Sequence, residues 1–382
     1  MDFGVDTNNQ TYINGIKPPM FTRNKVLAIA GAIVAAALLI FAVLYFFPPP
    51  KGNFLEPLVS LTSPDAREEV VVNPLTGELY SKDEAREWIN VRPLAVMINN
   101  HTDARPQAGL VYVDVVYEIV AEGGITRFLA FFHSKIPEKI GPIRSVREYY
   151  LVLVKELGDA MLMHIGWSPQ ALEAIETWPV RSLGRGGAVF WRENPRNVAT
   201  EHTAYSNGKD LLQRGLELGW DGVEEIDPWA FKDDHTAYES AAAASSVSVD
   251  FWYKGDYSAI WEYDPVTNSY KRFLGYDSAG NPVPHIDDVT KEQLKFKNLI
   301  VQFAQEQSID GDDKGRLDYK LVGTGNALIF LDGKVLNSTW DKDERGERTK
   351  FYDENGEKIK FNRGKFWISI VPDRNADQVV YQ

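Results

Sequence analysis

Cysteine is missing from this 382-residue chain. That absence excludes disulfides, thiolate catalysis, zinc fingers and a lipid-modified N-terminal cysteine together. Positive charge is also short. Lys+Arg 41 against Asp+Glu 54 gives a net charge of −13, which argues against general nucleic-acid binding. With 6 histidines and no H-E-x-x-H or similar spacing, no metal is expected, and no cofactor motif appears. There is no internal repeat that registers convincingly. What is present suffices for a packed core. Hydrophobic residues make up 44% and charged residues 25%, so a wholly disordered, collagen-like or coiled-coil chain is excluded. At roughly 150 residues per domain, two folded units are expected, three at most.

One long apolar run stands out. Val26–Phe47 carries no charge over 22 residues, and a bilayer core takes about 20 apolar helical residues. Tyr45, Phe46, Phe47 and Pro48-Pro49-Pro50 follow in place of a small-residue cleavage site. The run therefore reads as an uncleaved single-pass anchor. Lys17, Arg23 and Lys25 precede it and only Lys51 lies close behind, which puts the N-terminus in the cytoplasm and the rest outside. Residues 1–25 read as a cytoplasmic tail, 26–47 as the anchor and 48–72 as a proline-rich spacer.

Beyond the spacer, residues 73–240 read as a mixed α/β domain and 241–382 as a mainly antiparallel β-rich domain. Leu94–Ile98 is a strand. Val115–Ala121 alternates, Glu122-Gly123-Gly124 turns, and Thr126–Phe132 returns as the second strand of a hairpin. Ser145 with Glu148 three residues on predicts a capping box opening a helix. Ala160–Ile165 is the next strand. Ser168 with Pro169 predicts the start of a second helix, and Leu211–Gly219 a third. Past Ser245, short alternating segments such as Ala259–Tyr263, Leu299–Ala304 and Phe366–Val371 are separated by turns.

Several residues could carry chemistry. Gly141-Pro142-Ile143-Arg144-Ser145-Val146-Arg147 places two arginines at a predicted helix N-terminus, a candidate site for phosphate or carboxylate. The bland alternative is that Glu148 serves the cap and both arginines pair with local acids. Arg105, Asp114, Glu118, Glu122 and Arg127 form a second set. Glu118 and Arg127 could face each other across the hairpin as an ordinary ion pair, or two carboxylates near arginines could do acid–base work. His164 near a strand end, ahead of Ser168, is a third candidate, although Ser168 is better explained as a helix cap. His202 sits in a polar loop of unknown use. The candidate anion site is thus Arg105, Arg127, Arg144 and Arg147, and the candidate polar cluster Asp114, Glu118, Glu122, His164 and His202.

The segments Arg92-Pro93-Leu94-Ala95-Val96-Met97-Ile98-Asn99-Asn100, Ala104–Leu110, Glu122–Phe128, Gly141–Ser145 and His164–Pro169 resemble the YerB-like bacterial envelope proteins. This family of unknown function has an N-terminal and a C-terminal domain. Many members are lipoproteins, so in a chain without cysteine the Val26–Phe47 span stands in for the lipid. The resemblance implies a bacterial surface location and supplies no catalytic residues. A link of at least one member to penicillin-binding proteins makes wall assembly the implied setting. The expected function is a membrane-anchored, extracytoplasmic protein that binds a cell-wall polymer or a protein of wall synthesis. The alternative is an envelope hydrolase or transferase acting on an anionic glycan or lipid-linked phosphate. In that reading the arginines hold the anion, and Glu118, Glu122 or His164 serves as acid or base.

Overall fold

The computed structural model describes residues 70–382 apart from 186 and 188, so the predicted tail, anchor and most of the spacer lie outside the described residues. Among the described residues no helix is long and apolar enough to cross a membrane.

Twelve strands carry the architecture. They are β1 (Leu94–Asn99), β2 (Val115–Glu122), β3 (Ile125–Phe132), β4 (Met161–Met163), β5 (Ser246–Val249), β6 (Ala259–Asp264), β7 (Ser269–Tyr276), β8 (Asn298–Ser308), β9 (Gly323–Leu331), β10 (Lys334–Lys342), β11 (Phe366–Pro372) and β12 (Val379–Tyr381). The main helices are α1 (Glu148–Glu156), α2 (Pro169–Thr177) and α3 (Gly208–Glu217). Among the described residues the central sheet has 11 strands. Its spine runs β10-β9-β8-β11-β2-β3-β1-β4. A second, six-stranded sheet includes β7-β6-β5-β12.

Burial explains the order. β1 and β11 are buried at every position, and β2 and β3 at all but one terminal residue. Such near-continuous apolar strands need cover on both faces and so take the middle of the sheet. β10 instead alternates between buried and more exposed positions and lies towards an edge. In β2, successive side chains point to opposite faces. Tyr117 donates to Glu156 of α1, whereas Glu118 meets Arg272 of β7, so helix covers one face and the second sheet the other. Trp261 of β6 packs edge-on against Trp367 of β11, ring centroids 5.3 Å apart. On the helical side, α3 lies so close to β4 that a side chain at Gly215 would overlap the Met161 sulfur.

The C-terminal region is not uniformly antiparallel. β11 runs parallel to both neighbours, with Leu299 opposite Trp367 and Tyr117 opposite Ile368. It is inserted between β8 and β2, and through it the two halves of the chain share one sheet. Residues 68–382 form one compact unit.

Candidate functional site

Asn99 ends β1, and the chain from 141 to 146 runs beside that end in extended form. Asn99 N–H donates to Pro142 O (2.8 Å), Arg144 N–H to Met97 O (2.9 Å) and Ile143 N–H to Ala204 O (2.7 Å). On the far side, Ile165 N–H donates to Arg144 O and Val146 N–H to Gly166 O. This pinning corrects the predicted capping box. Residues 143–146 are held extended by tertiary bridges, and α1 begins only at Glu148, with Arg147 as N-cap and no side-chain cap bond. The Ser145 hydroxyl donates instead to Ile165 O at 3.0 Å. Gly166 has φ +84°, and a Cβ there would lie 2.7 Å from the Ser145 hydroxyl, so this contact requires glycine. The predicted Ser168 cap is present, accepting from Ala171 N–H at 3.1 Å with Pro169 in the first turn.

This geometry gathers three of the four candidate arginines. Arg127 lies opposite Asn99 across the β1–β3 pairing. Its Nη2 donates to Glu122 Oε2 at 2.7 Å and its Nη1 to Ser145 O at 2.8 Å. Arg147 donates to the other oxygen of the same carboxylate, Nε to Oε1 at 2.5 Å, and to Val146 O. Two guanidinium groups therefore share one carboxylate, leaving a positive surplus. Burial, reinforced by Arg147, lowers the Arg127 pKa to about 10. Arg144 completes the group. Its side chain is 28% exposed, and its ion-pair partner is the half-exposed Glu201 at 3.9 Å. Burial lowers its pKa, Glu201 opposes that, and the Arg147 charge adds to it. Arg105 is used elsewhere. It donates to Asn100 O, Asn100 Oδ1 and Asp256 O, and its guanidinium lies over the Tyr257 ring.

The candidate polar residues do not form one cluster. Glu118 is fully buried and accepts from Arg272 (2.9 Å), Trp367 Nε1 (3.0 Å) and Thr126 (2.8 Å). Arg272 is itself held between the Trp261 and Trp367 rings. This is a structural clamp between the central and second sheets. Asp114 accepts from the backbone of His133 and Ser134, and burial pushes its pKa up to about 6. His164 does not meet Ser168. Its Nδ1 faces Gly166 O (2.9 Å) and its Nε2 faces the Ser182 hydroxyl (2.8 Å). Burial lowers its pKa to about 4. The Ser182 oxygen also accepts from Arg185 N–H, closing a turn.

His202 follows Glu201, the partner of Arg144, and packs on a residue the sequence reading passed over. The His101 and His202 rings stack with centroids 4.4 Å apart. His101, Asp103 and His202 bring ligand-capable atoms within 4.8 Å of one another, a spacing that could hold a metal ion. The tautomer of His202 opposes that use. Asn99 Oδ1 accepts from His101 N–H (3.0 Å), so its amide Nδ2 must be the group facing His202 Nδ1 at 2.8 Å. The neutral ring then carries its proton on Nε2, which offers a donor to the surface and no lone pair. Nothing in the linear spacing of residues 101 and 202 announces this stack; the pairings of 140 with 206 and of 143 with 204 bring the loops together.

A separate cavity of about 610 Å³ is lined in part by Gly109, Tyr112, His133, Lys139 and Leu212, and none of the four arginines lines it.

Comparison with known proteins defines the class. Residues 75–221 match the N-terminal domain, and residues 247–368 the C-terminal domain, of a family described as protein of unknown function DUF3048. The chain belongs to this YerB-like family. It is 33% identical over 309 residues to the Bacillus subtilis (strain 168) protein named "Putative lipoprotein YerB", covering 80% of this chain and 88% of that protein. The crystal structure of the YerB protein from Bacillus subtilis is similar, with TM-score 0.68 and 30% identity, covering 82% of this chain and 99% of that one.

Proposed function

We propose that this is a membrane-anchored, extracytoplasmic protein of the bacterial envelope that binds an anionic cell-wall component. The observation that carries the reading is the arginine surplus beside the end of β1. Arg127 and Arg147 share the Glu122 carboxylate, while Arg144 reaches the surface with only a distant partner. Two guanidinium groups at one carboxylate leave one positive charge uncompensated, which a bound anion would offset. The relative's name as a lipoprotein supports placement on the outer side of a membrane. With Cys 0 this chain has no cysteine to carry a lipid, and Val26–Phe47 takes the anchoring role.

The test is co-sedimentation of the full chain, in nonionic detergent, with purified cell walls. Wild type should pellet with the walls and be released by salt, as screened charge contacts are. Arg144→Ala should lose roughly 1.5–3 kcal/mol of binding, the range for a hydrogen bond to a charged group. Equal pelleting of both proteins would rule out the arginine site as the contact.

A further inference from the structure

We propose that Arg144 and the Nε2–H of His202 form one oxyanion site whose ligand is a phosphate group. This rests on the reading above that the arginines beside β1 meet an anion, and it names the chemistry of that anion. Three observations carry it.

The first is placement. Residues 141–144 lie between β1 and the 204–206 segment, so Arg144 and the Glu201–His202 loop flank the same strand end. The second is the fixed tautomer. The His101 backbone orients the Asn99 amide, which leaves His202 as a donor at Nε2. The third is vacancy of that donor. His202 is only 6% exposed, yet its Nε2 has no partner among the described residues and is not sealed from solvent. A fixed N–H next in sequence to Glu201, the loose partner of Arg144, suits an acceptor-rich anion shared with that guanidinium. Phosphate offers several oxygens to donors arriving from different segments, whereas a planar carboxylate is matched by one arginine fork.

The imidazole is held neutral. The charged or titratable groups around His202 are His101, Arg144, Glu201 and Asp103. Burial first, then the charges of His101 and Arg144, lowers the His202 pKa in the free protein. Protonation at Nδ1 would set a second donor against the Asn99 amide, so the anion meets a neutral imidazole and affinity gains nothing as pH falls.

The experiment is calorimetric titration of the full chain in nonionic detergent with sulfate. Sulfate stays dianionic between about pH 8 and about pH 5.5, so any pH effect belongs to the protein. Wild-type affinity should stay nearly constant across that range, because the imidazole binds as a neutral donor, and a steep gain on the acid side would overturn the fixed tautomer. Arg144→Ala should abolish binding at every pH. His202→Gln should weaken binding at every pH. If Arg144→Ala abolishes binding while His202→Gln binds like wild type, the histidine assignment is overturned and the functional reading stands. If Arg144→Ala binds like wild type, the functional reading itself fails. Nitrogen-15 spectra of the imidazoles give an independent readout: a proton on His202 Nε2 supports the site, and one on Nδ1, or a response to zinc in place of sulfate, overturns it. Finally, glycerophosphoglycerol and inorganic phosphate are offered as competitors. Displacement by the diester assigns the site to polymer-borne phosphate, displacement by phosphate alone to the free anion, and displacement by neither overturns phosphate as the ligand.

Discussion

Individual buried histidines set the acid stability of this fold. His133 donates Nε2–H to Trp88 O and Val91 O, and His164 bridges Gly166 O and the Ser182 hydroxyl. Burial holds both pKa values down at about 4, against an ordinary 6.5. The unfolded chain takes up protons on these rings below pH 6.5, and the folded chain does not until about pH 4. Stability from these two groups is thus complete above 6.5 and lost as pH falls towards 4. Between pH 7 and pH 5 the two together should cost about 4 kcal/mol. Asp114, with its pKa raised to about 6, takes up a proton in the folded state over the same interval and offsets about 1 kcal/mol of this; urea unfolding midpoints should still fall, and a flat profile would refute it. The roles of these rings could not be read from sequence. His164 precedes a legible cap at Ser168, but its partner Ser182 is 18 residues away and reaches it through the Leu162–Ser182 bridge.

The hairpin and the helix that follows it show which elements were legible. β2 and β3 follow directly from alternation around Glu122-Gly123-Gly124, and α2 from its serine cap and proline. The start of α1 did not, because local cap chemistry at Ser145 yields to tertiary bridges that keep residues 143–146 extended. The arginine site was half legible for the same reason. Arg144 and Arg147 stand close in sequence, but the sharing of Glu122 by Arg127 and Arg147 depends on how that segment crosses the hairpin end. Glu122→Gln tests the element. Without the carboxylate two buried cations face each other, and loss of one partner of a buried pair costs about 3–5 kcal/mol. The variant should melt earlier than wild type and be rescued by sulfate more strongly. Equal sulfate stabilisation of both proteins would show that no anion enters here.

At the scale of the whole molecule, the two family segments are joined by β11, which lies between β8 of the second and β2 of the first. The Glu118–Arg272 clamp adds a fully buried ion pair across the same seam. Separation would expose two long apolar strand edges and an unpaired buried charge. Residues 68–382 should therefore unfold in one cooperative transition, with tryptophan fluorescence and far-ultraviolet circular dichroism coinciding; two resolved transitions would contradict it. The sequence signals for two regions are real, since texture changes near Ser245, but pairing across the seam is non-local and leaves no trace in either half. The central claim, that an anion is held beside the end of β1, is tested most directly by an anomalous difference map from crystals grown with selenate. The strongest peak is expected within hydrogen-bonding reach of the Arg144 guanidinium and His202 Nε2. Peaks confined to the lysine-bearing cavity near Lys139, with none at Arg144, would contradict it.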